Sequence, residues 1–234
     1  MVVESTVAAR LEQVRERIAA AAARAGRRPE EITLVGASKT VDVARIAAAV
    51  AAGLRDIGEN YVQEARQKRA APELQEFDIR WHLIGHLQTN KAKAAVELFD
   101  VIQTLDSARL AGVLARHAAA RGKRLPVLLE VDYTGLPGRT GLRPEAVDEV
   151  LEALAGLPAL EVVGLMTVPA PGLSPAETRA VFRRLRLLRD GLAARYPHFS
   201  WQHLSMGMTD DFEWAIEEGA TIVRIGRAIF GERP

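Results

Sequence analysis

Short apolar runs ending in glycine or polar residues alternate eight times with longer, alanine-rich helical stretches, and that rhythm leaves few architectures open. The apolar runs span 32–37, 54–57, 81–84, 101–104, 127–132, 161–165, 201–204 and 221–225. The spacing predicts helices over 41–52, 59–70, 89–98, 107–121, 144–155, 174–195 and 210–218, several of them stopped by a glycine. Ser174 before Pro175 marks one helix start, and Asp210 with Glu213 resembles a capping box at another. Strands that alternate with helices imply a parallel sheet, and eight strands close it, so the pattern predicts an α/β fold: a single (β/α)8 TIM-type barrel. An open doubly wound sheet is the alternative, because the second and fourth runs are short.

Residues 1–26 add a helix before the first strand, with Ser5 and Thr6 as N-cap candidates, Val7, Leu11, Val14 and Ile18 at helical spacing, and Gly26 as its stop. This helix is expected to pack on the barrel. No linker or low-complexity stretch interrupts the series, so the whole chain, 1–234, is expected to form one domain. Charge and composition narrow the function. Thirty-one basic residues against thirty acidic ones leave a net charge of +1, which gives no global field toward nucleic acid or anionic lipid. The chain has no cysteine, which excludes disulfides, thiolate metal sites and cysteine nucleophiles. With no signal-like start and no uninterrupted apolar stretch of membrane length, a cytoplasmic location is expected.

Barrels of this type carry their chemistry at the C-terminal ends of the strands. The first run leads directly into Ser38 and Lys39. Two readings of Lys39 stand at this point. A lysine at a barrel mouth is partly desolvated, which favours the neutral amine and readies it to attack an aldehyde; a solvent-exposed lysine that merely opens a loop is the other reading. The remaining strand ends are Gly58-Glu59-Asn60, Trp81-His82-Leu83-Ile84-Gly85-His86, Gly164-Leu165-Met166-Thr167, Leu204-Ser205-Met206-Gly207-Met208-Thr209 and Val223-Arg224-Ile225-Gly226-Arg227. The last two suggest a phosphate cradle of small residues, hydroxyls and backbone N–H groups.

Taken together these strings resemble the pyridoxal phosphate homeostasis protein family, whose fold is like the N-terminal barrel of alanine racemase. The resemblance runs from Ala37-Ser38-Lys39-Thr40 to Ala228-Ile229-Phe230-Gly231 and covers nearly the whole chain. It implies pyridoxal 5′-phosphate (PLP) as cofactor, held as a Schiff base on Lys39, with Asn60 lining the ring. Ser205, Gly207, Gly226 and Arg227 would surround the phosphate, and Arg224 would face the pyridine nitrogen. Met166 and Met208, at strand ends, would touch the cofactor. His82 either lines the mouth or is a satisfied core residue. The implied role is PLP homeostasis or delivery to apo PLP-dependent enzymes, by a monomer without strong turnover. Three positions depart from the family pattern: Asp132 for asparagine, Arg139 for lysine, and Arg227 for threonine. Asp132 would bring negative charge to the cofactor rim.

A PLP-dependent racemase or lyase is the alternative function. Only residues 226–234 follow Ile225, so the β domain that supplies a second base in alanine racemases is expected to be absent. A metal- or sugar-phosphate enzyme lacks a carboxylate–histidine constellation, and His82 with His86 lies on a strand and its exit rather than on one helix face, so no metal site is expected. His203 is expected to be structural, and Arg183-Arg184-Leu185-Arg186 to lie on the outer surface.

Overall fold

The computed structural model describes residues 2–232 and closes eight parallel strands into a barrel in sequence order, with the last strand pairing back to the first. The strands are β1 (Thr33–Ala37), β2 (Asp56–Glu59), β3 (Arg80–Leu83), β4 (Val101–Leu105), β5 (Leu125–Glu130), β6 (Leu160–Met166), β7 (His203–Ser205) and β8 (Ile222–Ile225). The helices are α1 (Val2–Arg24), α2 (Val43–Ala51), α3 (Val62–Arg69), α4 (Ala92–Leu98), α5 (Ala108–Ala119), α6 (Val147–Ala155), α7 (Pro175–Arg195), α8 (Phe212–Glu217) and α9 (Arg227–Phe230). Closure decides against an open sheet.

Strand residues alternate between two apolar clusters, as a closed sheet requires. Val101, Leu128 and Ile222 join Val35 and Met166 in a small inner cluster, whereas their neighbours Ile102, Leu129 and Val223 pack in the larger cluster with helix residues such as Ile46 and Leu110. The α1 stripe Val7, Leu11, Val14 and Ile18 is buried, and the helix lies on α2, α8 and α9. Arg17 reaches Glu213 and Arg24 reaches Glu217, each at 2.7 Å, which ties α1 to α8.

Helix starts followed the sequence unevenly. Ser174 and Glu177 form the full capping box at α7. The expected Asp210–Glu213 box does not form: Asp211 is the N-cap of α8 and accepts from Met208 N at 2.6 Å, while Glu213 is drawn to Arg17. Helix α1 begins at Val2, upstream of both proposed caps, because apolar spacing marks the buried face and not the first turn. Among the described residues no helix is long and apolar enough to cross a membrane.

Candidate functional site

A cavity of about 390 Å³ opens at the C-terminal ends of the strands. Lys39, Asn60, Met166, Met208, Arg224, Gly226 and Arg227 all line it, as do His86, Glu130, Arg139, Thr140 and Thr209. Cationic side chains outnumber carboxylates in this wall, so it suits an anion.

The segment carrying Lys39 is gripped on both sides. Ser38 Oγ donates to Glu59, and Lys68 Nζ on α3 donates to Ser38 O (2.6 Å), Glu59 (2.7 Å) and Glu64 (2.7 Å). Beyond Lys39, Thr40 adopts φ 63°, a left-handed conformation uncommon for a β-branched residue. Its N–H donates to Glu64 at 2.6 Å, which anchors that turn. Burial pushes the Glu59 carboxyl above its ordinary value, against the opposing pull of Lys68 and Ser38, and Glu59 Oε2 has no hydrogen-bond partner. Asn60 reaches the cavity because the chain after β3 passes close by: a Cβ at Gly85 would stand 2.4 Å from Asn60 O.

On β8, the strand that pairs with β1, Arg224 is buried and donates to Ser205 Oγ and to Thr167 O (2.9 Å). Burial lowers its pKa to about 10, against the pull of Glu130 and Asp211, so it stays cationic at neutral pH. Burial also raises the Glu130 carboxyl, whose nearest hydroxyl, Thr140 Oγ1, is 3.4 Å from both oxygens.

Three residues named for cofactor contact lie outside this wall. Ser205 does not line the cavity: its hydroxyl donates to Gln103 Oε1 at 2.6 Å and accepts from Arg224. Gly207 is packed under α8 with φ 97°, where a Cβ would come within 2.6 Å of the Ala215 methyl. Its carbonyl holds Arg224 N at 2.9 Å. His82 lies deep in the barrel between Asp56 (2.8 Å) and Gln103 (3.0 Å), which is the core reading of that residue. The cavity wall at the ends of β7 and β8 is made by Met208, Thr209, Asp210, Gly226 and Arg227. Thr209, His86, Glu130 and Thr140 were missed as wall residues; the hydroxyl following Ser-Met-Gly-Met was the available signal for Thr209.

The departing positions also resolve. Asp132 is turned into its own loop and accepts from Thr134 N, Thr134 Oγ1 and Gly135 N. Burial raises its pKa, but these bonds bring it below the ordinary value, and it is not a wall residue. Arg139 bridges to the carbonyls of Val168 (3.3 Å) and Pro169 (2.8 Å), and Arg227 pairs with Asp210. His203 sits beside Thr221 Oγ1 at 3.3 Å, away from the cavity. On α7, Arg183 pairs with Glu218 and Arg184 stacks 4.4 Å above the Tyr133 ring. Among the described residues no cluster suited to a metal ion is present.

Residues 9–234 match the family described as alanine racemase, N-terminal domain. The pyridoxal phosphate homeostasis protein of Escherichia coli is 44% identical over 228 residues, 97% of each chain, and that of Aquifex aeolicus is 45% identical over 224 residues. Among solved structures, PipY of Synechococcus elongatus with PLP bound superposes with a TM-score of 0.85 at 38% identity, covering 96% of this chain and all of that one. An alanine racemase of Clostridium difficile shares the barrel at 16% identity, with 53% of its length covered and a TM-score of 0.69. Identity of this level over nearly full length, on the same closed barrel, means that the chain belongs to the pyridoxal phosphate homeostasis protein family.

Proposed function

We propose that this chain binds PLP through a covalent bond to Lys39 and acts in its storage and delivery to apo-enzymes rather than in amino-acid turnover. The observation that carries this reading is a primary amine and a fixed guanidinium in the wall of one cationic cavity: Lys39 just beyond the first strand, Arg224 on the last, which pairs with it. PLP supplies an aldehyde that condenses with an amine with loss of water, and a ring that draws electrons best when its nitrogen is protonated. Lys39 would supply the amine, Asn60 would flank the ring, and Thr209 with the N–H groups of Gly226 and Arg227 would hold the phosphate. Arg224, which donates and cannot accept, would hold the ring nitrogen unprotonated and so restrain carbanion chemistry.

Borohydride treatment of the PLP-loaded protein followed by peptide mapping tests the bond, with the adduct expected on Lys39 and lost in Lys39→Ala; an adduct on another lysine removes the assignment. Exchange of amino-acid α-hydrogens with deuterated solvent tests the non-catalytic part. Rates on the order of 1 s⁻¹ or faster would favour a racemase or lyase.

A further inference from the structure

The guanidinium of Arg224 is the top of a hydrogen-bond chain that crosses the barrel interior. Arg224 Nη1 donates to Ser205 Oγ, Ser205 Oγ donates to Gln103 Oε1 (2.6 Å), and Gln103 Nε2 lies 3.0 Å from His82 Nδ1. An amide nitrogen only donates, so His82 Nδ1 accepts, its proton sits on Nε2, and that group donates to Asp56 Oδ1 at 2.8 Å. All donors point one way, from a cation at the cavity to a carboxylate at the start of β2. The links come from five strands, β8, β7, β4, β3 and β2 in turn, and all but Asp56 are buried. Val35, Val101, Leu128, Met166 and Ile222, from the same strands and their neighbours, form an apolar cluster of their own. Packed apolar residues match or exceed a buried polar chain in stability, so stability alone does not account for the chain.

We infer that Asp56, His82, Gln103 and Ser205 are positioning residues that fix the orientation of the Arg224 guanidinium toward the cofactor ring. The inference rests on the assignment of Arg224 to the ring nitrogen. Ser205 has one hydroxyl hydrogen, and while Gln103 holds it, a lone pair remains turned to Arg224. A break at any lower link frees the links above to rotate, and of its two seats the guanidinium then keeps only the one at Thr167 O.

The test compares PLP with an analogue in which C–H replaces the ring nitrogen, aldehyde and phosphate being retained. Affinities are read by absorbance titration in the whole chain, in Gln103→Met and in Asp56→Leu, with thermal melting as a check on folding. PLP affinity is expected to fall about tenfold or more in Gln103→Met and about threefold or more in Asp56→Leu. Affinity for the analogue is expected to stay within about twofold, since it offers Arg224 no acceptor. Equal losses for both ligands, or no loss in Asp56→Leu, would overturn the inference. If Gln103→Met does not fold, Asp56→Leu decides alone, because its side chain is at a strand start and partly exposed. An unsubstituted chain that binds neither ligand on Lys39 would count against the assignment of the cofactor site instead.

Discussion

Two buried polar networks meet the cavity, one beneath Arg224 and one around Lys39, and they are built on opposite principles. The chain beneath Arg224 keeps its charges at its two ends and joins them through neutral groups, each with a partner. The network around Lys39 bonds Glu59 and Glu64 each to the one ammonium of Lys68 and leaves Glu59 Oε2 unpartnered. Neutral links cost little to bury when all are satisfied, whereas concentrated charge depends on every counter-charge staying in place. The first arrangement therefore suits fine orientation of one group. The second suits holding a strained loop, the Thr40 turn, against its own conformational preference.

The sharpest way to break this contrast is Lys68→Met. It would leave Glu59 buried without its cation and release the carbonyl of Ser38, at a cost of about 3–5 kcal/mol at neutral pH. The deficit should shrink on acidification, since Glu59, already raised by burial, takes up a proton more readily once Lys68 is gone. Denaturant unfolding at several pH values measures both, and a deficit that is small or independent of pH would remove the charge-based account of the Lys39 shoulder.

Ser205→Ala should be milder, about 1–3 kcal/mol in stability, because it strands one guanidinium N–H and the Gln103 carbonyl without stranding a full charge. Its effect on ligands also separates two placements of Ser205. A hydroxyl at the phosphate would weaken PLP more than pyridoxal. The hydroxyl seen beneath Arg224 predicts equal losses for the two, both of which carry the ring nitrogen.

Much of the barrel was legible because alternation of apolar runs and helical stretches is local information. The errors lie where tertiary partners override local signals. The fifth run, expected at 127–132, lies at 125–130: its ladder with β6 already begins at Leu125, and beyond Glu130 the chain continues only as an isolated bridge from Val131 to Leu142. The four-residue helix α9 was not anticipated, being too short to carry a period. The site divided in the same way. Lys39 could be singled out from its strand end, and Asn60, Arg224 and Gly226 from the family resemblance, but no sequence rule says that Gln103 in Val-Ile-Gln-Thr-Leu faces Ser205 on the far side of a closed sheet. A polar residue in the middle of an apolar strand was the one signal available, and it identifies an interior group without naming its partner.

Glu130 stands between the two networks in design: a buried carboxyl near Arg224 with only distant hydroxyl contacts. Its folded pKa is raised by burial, so its contribution to stability is full below the ordinary carboxyl value and is lost as pH rises through the folded value. Glu130→Gln should therefore gain stability relative to the parent as pH rises above about 4.5. Melting temperatures of the two proteins across this range should diverge with pH. Parallel curves would show that Glu130 is compensated by Arg224 as fully as the chain groups are by one another.

The smallest change is expected from Arg227→Thr, although it removes a cation from the cavity wall. The guanidinium of Arg227 is committed to Asp210, with Glu232 at 3.7 Å, and its side chain is about half exposed. An exposed pair of this kind contributes about 0–1 kcal/mol, and salt screens it further. On the proposed reading, Arg227 would offer a phosphate chiefly its backbone N–H at the start of α9, which threonine would keep while adding a hydroxyl. The loss of charge and the gain of a donor offset each other, so PLP affinity should change by less than about threefold. Because the replaced charge is already paired, the small change should also be nearly independent of salt between low and physiological ionic strength. A large, salt-sensitive loss would mean that Arg227 leaves Asp210 for the ligand, which would place a mobile charge in a cavity whose guanidinium at Arg224 is fixed from below.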